Sequence, residues 1–302
     1  MASTTSSLSG AMSTFYDKVF LDRAEEMMRY DVGAQQRDIP QSEGKSIEWN
    51  RFSSLSKATS ALSEATNPSF TDMTTNTVSA TVQPYGNATK AGELYDLTSI
   101  EQGLREHVEV HGQNAGETLD ELIKTELEGN GTDQFVGGTA LSDVASSDTL
   151  DGAAVRTAVT TLKENKARQF EDGRFRSVVP VSGTYDLRAD SEWLDAYRYT
   201  DAENIRNGEI GELHGVRFFE TNNQSSESSS PTVYHTFVFG RNAYGTVNIE
   251  GQPERRIHVK QPDSSSTNDP LDMFSTVGWK AHFATKVLNS NWLVEVHHAS
   301  GK

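Results

Sequence analysis

The sequence predicts an α+β fold, and three observations carry the prediction. One apolar stripe, Ile100, Leu104, Val108, His111, Ala115, Leu119 and Leu122, advances in steps of three or four and so lies along one face of a long helix. Runs that alternate apolar and polar residues flank it, residues 46–52 and 77–83 before it and several more after it. Gly208, Gly211 and Gly215 shape a tightly turned ribbon over residues 207–220 that feeds a strand at 216–221. The ribbon matches neither phosphate-binding glycine pattern, G-x-G-x-x-G or G-x-x-x-x-G-K-[ST], so it carries no nucleotide-binding reading.

Composition limits what such a fold can do. The 302 residues suffice for a sizeable core, yet the hydrophobic fraction is 35%. Counting Gly in place of Tyr lifts that to about 40%, still below the usual 45–50% or so. Part of the chain is therefore expected to be extended and to lack a private core. With 27 Lys and Arg against 43 Asp and Glu the net charge is -16, which argues against a protein that grips nucleic acid through its phosphates. Cysteine is absent, which excludes disulfides, thiolate nucleophiles and thiolate metal ligands. No signal-peptide pattern opens the sequence and no run approaches the roughly 20 apolar residues of a membrane span, so a soluble protein made in a cytoplasm is expected.

In chain order, a Ser/Thr-rich start gives way to Phe15, Val19, Phe20, Ala24 and Met27 at helical spacing, the pattern of a short amphipathic arm that docks on something. Gly33 ends it, and residues 37–44 read as an extended, turn-rich link. The strands at 46–52 and 77–83, the latter with Val78, Ala80 and Val82 on one face, bracket a polar excursion. In it only Leu55, Leu62, Phe70 and Met73 are larger apolar side chains. A loop of that length is uncommon inside a compact domain. The whole reads as a β-arm that must lie on a partner.

Thr98-Ser-Ile-Glu101 is a capping box for the long helix, which would end at Gly129-Asn-Gly131 and measure about 45 Å. Gly112 and Gly116 weaken a helix interior, so a bend or close packing is expected near Gly112. Asp151 caps a second helix with Ala154, Val155, Ala158, Val159 and Leu162 on its apolar side. Residues 175–181 follow as a strand closed by Pro180, and residues 191–197 as a short helix with Trp193, Leu194 and Tyr197 inward. Beyond the glycine ribbon, strands are expected at 233–239, 246–249, 256–259 and 292–296, with Ser-rich loops at 222–231 and 261–270.

His107 and His111 stand four apart, the spacing of a zinc-binding pair on a helix. The pattern is H-V-E-V-H and not H-E-x-x-H, so Glu109 is misplaced as a general base and no third ligand is indicated. His111 is expected to complete the apolar stripe. His297 and His298 point to opposite faces of any strand, and the other four histidines are scattered.

Taken together, the runs Phe15-Tyr-Asp-Lys-Val-Phe-Leu-Asp-Arg-Ala24, Glu43-Gly-Lys-Ser-Ile-Glu-Trp-Asn-Arg51 after Ile39-Pro40, and Leu62-Ser-Glu64 with Pro68 carry a resemblance. So do Asn207-Gly-Glu-Ile-Gly211 with Gly215-Val-Arg217, Ala243-Tyr-Gly-Thr-Val-Asn-Ile-Glu-Gly251, Val277-Gly-Trp-Lys280, Val287-Leu-Asn289 and Trp292-Leu-Val294. In order and spacing the chain resembles the major capsid proteins of tailed phages, in particular the phage N4-type branch, over nearly its full length. Ala65 departs from the Gly usual there, and Pro84 is expected to break the strand at Gln83-Pro-Tyr-Gly86.

The resemblance implies an HK97-like capsid fold. It implies an N-terminal arm over 1–45, an extended β-arm with flanking strands over 46–95, and a peripheral domain with the spine helix over 96–150. An axial domain over 151–270 and a C-terminal return to the peripheral domain over 271–302 complete it. It also implies a shell of hexamers and pentamers around double-stranded DNA that is enclosed without specific binding. Such a shell belongs to a virion capsid assembled in a host cytoplasm, with scaffolding, portal and decoration proteins as further partners and no membrane. No catalytic residue, cofactor or metal ligand is expected. Trp49, Arg51, Glu64 and Phe70 are expected as intersubunit contacts of the β-arm, Phe15 and Phe20 of the N-arm, and Arg206, Asn207 and Glu209 near the capsomer axis. An encapsulin-like compartment shell is the alternative within the same fold. A metal-dependent hydrolase using His107, Glu109 and His111, and a β-rich carbohydrate-binding module, are the readings of other classes.

Overall fold

A computed structural model of the chain describes residues 9–40, 42–59, 61, 67, 70–92, 103–193, 209–228, 230–249, 255–260 and 273–302. Helix α1 (Ser9–Met27) covers the residues expected to be helical and is longer than their apolar repeat. A 3-10 turn at Tyr30–Gly33 then leads into strand β1 (Gln35–Ile39), where the sequence suggested only a link. Strands β2 (Ser46–Phe52) and β3 (Thr75–Thr81) form an antiparallel pair from Ser46 opposite Thr81 to Phe52 opposite Thr75. Between them, residues 53–59 and 70–74 form no helix or strand.

Strand β4 (Gln83–Gly92) runs straight through Pro84, against the expectation of a break. The reason is its place at an edge of its sheet: β4 pairs with β13 (Phe274–Val287), and an edge position spares the missing proline N–H. Helix α2 (Gly103–Leu127) carries the long stripe, with Val108, His111, Ala115 and Leu119 buried and Ile123 and Leu127 extending it. Its 25 residues span about 38 Å. The capping box at 98–101 lies outside the described residues.

Two sheets organise the rest. In the first, β1 pairs in parallel with β11 (Tyr244–Ile249), β11 pairs with the end of β13, and the earlier part of β13 pairs with β12 (Arg255–Lys260) and β4. Helices α1 and α2 pack here, burying Phe20, Val108, Leu119 and Ile123 with Phe239, Tyr244, Val277 and Trp279. Side-chain bonds tie α2 to β13: Asn114 Oδ1 accepts from Trp279 Nε1 at 2.9 Å, and Glu126 Oε1 accepts from Lys286 Nζ at 2.7 Å.

The second sheet has the strand order β5 (Thr132–Phe135), β14 (Leu293–His298), β10 (Val233–Phe239), β6 (Phe175–Pro180), β8 (Val216–Thr221), β7 (Glu209–Leu213), with β9 (Ser226–Glu227) beside β10. Helices α3 (Gly152–Glu164) and α4 (Val181–Ala189) accompany it. Asp151 caps α3 as expected, accepting from Ala154 N at 2.7 Å. Its apolar face meets Phe175, Val179, Trp193, Phe218, Val294 and Val296 in a second core. Pro180, read as a strand stop, is also the residue from which α4 starts, and α4 was not foreseen.

The glycine ribbon is the hairpin β7–β8. His214 and Gly215 both have positive φ, 52° and 79°, the turn that matches the twist of paired strands. Trp193 lies inward as expected, at 5% exposure, with its ring 5.4 Å edge-on from Phe218.

The segment after residue 271 divides between the sheets. Strand β13 lies along the α2 sheet, whereas β14 enters the second sheet between β10 and β5.

Candidate functional site

Helix α1 is held against α2 at backbone distance. A Cβ at Gly112 would come within 2.8 Å of the Phe20 carbonyl oxygen, and one at Gly116 within 2.4 Å of that of Ala24. The expectation near Gly112 is met as close packing: these glycines let the two helix backbones touch. Phe20 is fully buried in that seam, so it docks the arm onto its own chain rather than onto a neighbour. Phe15 lies within α1, but its side chain is outside the described set.

The end of α1 is then latched. Asp120 on α2, fully buried, accepts from the Arg29 and Tyr30 backbone N–H groups at 2.8 Å each and from Asn223 Nδ2 at 3.3 Å. Burial pushes its carboxyl pKa up, opposed by those hydrogen bonds. Asn223 also accepts from Lys124 Nζ at 3.0 Å and, through its carbonyl, from the Tyr30 hydroxyl at 3.1 Å. Beside this latch a cleft of about 860 Å³ is lined by Glu26, Glu117, Glu121 and Glu220 among others, a set that repels phosphate.

The β-arm divides at its root. Trp49 is only 6% exposed and sits with Ile39, Ala80, Val82 and Val247 in a small core. Its ring comes so close to β11 that a Cβ at Gly245 would lie 3.1 Å from it. The indole is thus committed inside the subunit, in place of the neighbour contact expected of it. Past that root the large apolar side chains among the described residues are bare. Arg51 is exposed, and Phe52, Leu55, Phe70 and Met73 are 63%, 56%, 95% and 59% exposed. Glu64 lies outside the described residues, as do Arg206 and Asn207; Glu209 opens β7, paired with Phe219, and its side chain is not described.

His107 and His111 converge on one hydroxyl. Thr89 Oγ1 on β4 lies 2.9 Å from His111 Nε2 and 3.4 Å from His107 Nδ1. Burial, then the neighbouring His107, lowers the His111 pKa. Glu109 is about 200° around the helix from each histidine, so the hydrolase set does not assemble. Among the described residues, the group of three or more side chains able to share an ion is another one: His235, Glu295 and His297. Sequence reading missed it, because it arises only when β10 and β14 pair with His235 opposite His297. The one local signal was Glu-x-His on a single strand, which puts Glu295 and His297 on one face.

No protein-family model and no curated protein matches the sequence. Solved structures do match the fold. The chain is similar to the capsid of Ralstonia phage GP4, with a TM-score of 0.68 at 12% identity, covering 91% of this chain and 89% of that one. It is similar to the capsid of cyanophage Pam1, with a TM-score of 0.67 at 15% identity over 94% of each chain. The encapsulin SrpI of Synechococcus elongatus follows at a TM-score of 0.54 and 9% identity, over 88% of this chain and 85% of that one. The chain therefore has the α+β, HK97-like fold of these shells.

Proposed function

We propose that this chain is the major capsid protein of a tailed phage, a structural subunit that assembles with further copies of itself into an icosahedral shell of hexamers and pentamers around double-stranded DNA. The observation that carries the reading is end-to-end likeness: 94% of this chain matches 94% of a phage capsid subunit at a TM-score of 0.67. The bare β-arm supports it, since exposed Phe70, Phe52, Leu55 and Met73 suit burial against another copy. A net charge of -16 suits a container that must hold DNA without gripping it.

Within this reading, Arg51, Glu64 and Phe70 belong to contacts of the β-arm with an adjacent subunit, and Arg206, Asn207 and Glu209 to contacts near the capsomer axis. Phe15 belongs to the N-arm. The runs at 15–24, 43–51 and 243–251 favour the N4-type branch. The segments 1–45, 46–95, 96–150, 151–270 and 271–302 serve as arm, β-arm, peripheral, axial and returning segments, with β14 as the part of the return that crosses into the axial sheet. Assembly takes place in the host cytoplasm with scaffolding, portal and decoration proteins, and no catalytic step is assigned.

Electron microscopy of the expressed protein, alone and with its scaffolding partner, tests the reading. Closed shells built of hexamers and pentamers are expected; a stable monomer under both conditions would overturn it. A compartment shell of the encapsulin kind is the second reading, favoured by the weaker match at a TM-score of 0.54. Genes for portal and terminase beside this one, and not for a cargo enzyme, separate the two.

A further inference from the structure

Three side chains that the shell reading leaves unused lie together on one face of the second sheet. His235 on β10 stands opposite His297 on β14, and Glu295 is two residues before His297 on the same strand. All three are buried, at 5%, 1% and 6% exposure for His235, Glu295 and His297. One ligand atom from each lies within 4.8 Å of the others. Donors bonded at 2.0–2.2 Å to a shared ion sit at most about 4.4 Å apart, so small side-chain movements close the set.

Hydrogen bonding leaves both ring nitrogens of His235 and Nδ1 of His297 unspent. His235 Nδ1 lies 2.7 Å from Glu295 Oε1, an ion-pair distance that is not aligned as a hydrogen bond, and neither ring nitrogen of His235 has a hydrogen-bond partner among the described residues. Glu295 Oε2 accepts from Gly129 N at 3.0 Å, and among the described residues no Lys or Arg pairs with its buried carboxylate. His297 is already oriented: its Nε2 lies 3.2 Å from Asp133 Oδ1, its ring stacks on Phe135 at 4.5 Å, and its Nδ1 has no partner. An imidazole that gives one nitrogen to a carboxylate and keeps the other free is the arrangement found around metal-bound histidines.

We propose that His235, Glu295 and His297 bind one divalent first-row metal ion, Zn²⁺ foremost, which pins β14 to β10. Two imidazoles and a carboxylate are the donor set that suits such an ion. His297 binds through Nδ1 while Asp133 holds its Nε2–H. A cavity of about 310 Å³ opens on the same face, lined also by Glu128, Ser225 and Glu227, and leaves room for water or a further carboxylate in the remaining position. The role is structural: the ion ties two strands about sixty residues apart and compensates the buried carboxylate.

The full-length subunit, stripped with a chelator, is titrated with Zn²⁺ by calorimetry and with Co²⁺ by visible absorption. About one ion per chain, the intense d–d bands of a low-coordinate Co²⁺ site and a Zn²⁺-dependent rise in Tm are expected. His235→Asn and His297→Asn should abolish binding, and Asp133→Asn should weaken it by about 10–100-fold. No saturable binding by the folded wild type, or the same isotherm in both histidine variants, overturns the site. Should the histidine variants fail to fold, Asp133→Asn decides, because its side chain is half exposed: unchanged affinity there also overturns it.

Discussion

The seam between α1 and α2 and the arm carrying β2 and β3 use apolar side chains in opposite ways. In the seam, Phe20 and Ala24 have no exposed surface, and glycines at 112 and 116 bring the backbones into contact. In the arm, Trp49 and Ala80 at the root are buried, yet every large apolar group described beyond them is more than half exposed. The seam is complete within one chain, whereas the arm, under the proposed shell reading, is completed by a second. Changes in the seam should therefore act on the stability of the subunit, and changes in the arm on assembly.

The largest expected effect tests the arm. Deleting residues 60–70 should leave a folded, soluble subunit that forms no closed shells in electron micrographs; normal shells would end the comparison. Next is the latch below the seam. Asp120→Ala strands the buried Tyr30 N–H and the part-buried Arg29 N–H that now donate to it, each worth about 1–3 kcal/mol, so a loss near 3 kcal/mol is expected in denaturant unfolding of the subunit.

Acid offers a third test, on the second sheet. His298 is fully buried, and desolvation lowers its pKa to about 4. Its Nδ1 donates to the Ala299 carbonyl at 2.8 Å, which leaves Nε2 to accept from the Thr236 hydroxyl at 2.9 Å in the neutral ring. With the folded pKa below the unfolded value near 6.5, this group's contribution is full above that value. It is lost as pH falls toward 4, by about 3 kcal/mol at most. His298→Gln should flatten the stability profile over that window, whatever it does at neutral pH. An unchanged slope would remove His298 as its source.

Gly116→Ala should cost about 1–3 kcal/mol, because the new methyl meets the Ala24 carbonyl and α1 must shift. The smallest effect belongs to the arm again. Phe70→Ser should change subunit stability by no more than about 0.5 kcal/mol while raising the protein concentration at which shells form, measured by light scattering. A large loss of subunit stability there would place Phe70 in the subunit's own core.

Legibility in the sequence followed the range of the interactions. The α2 stripe, the Asp151 cap and the β8 and β10 strands obey local periodicity or local hydrogen bonding, and the sequence shows them within a residue or so. Close packing at Gly112 was readable because a glycine in a helix interior needs a reason. The pairing of β1 with β11 and the survival of β4 through Pro84 depend on partners roughly 200 residues away, which no window contains. The His235, Glu295 and His297 cluster failed for the same reason: each residue is unremarkable until the register of β10 and β14 brings them face to face. The fate of Trp49 was likewise set by distant residues, Val247 and Gly245, that leave its ring a place inside the subunit.

The position of β14 also bears on timing. It lies between β5 and β10, strands that the ribosome has already released when residues 293–298 are still being made. Until then the second sheet is two pieces with unpaired inner edges, and neither piece can present the finished surface of a subunit. Under the proposed shell reading, the pairing of β14 is therefore a step each subunit completes before it can join another.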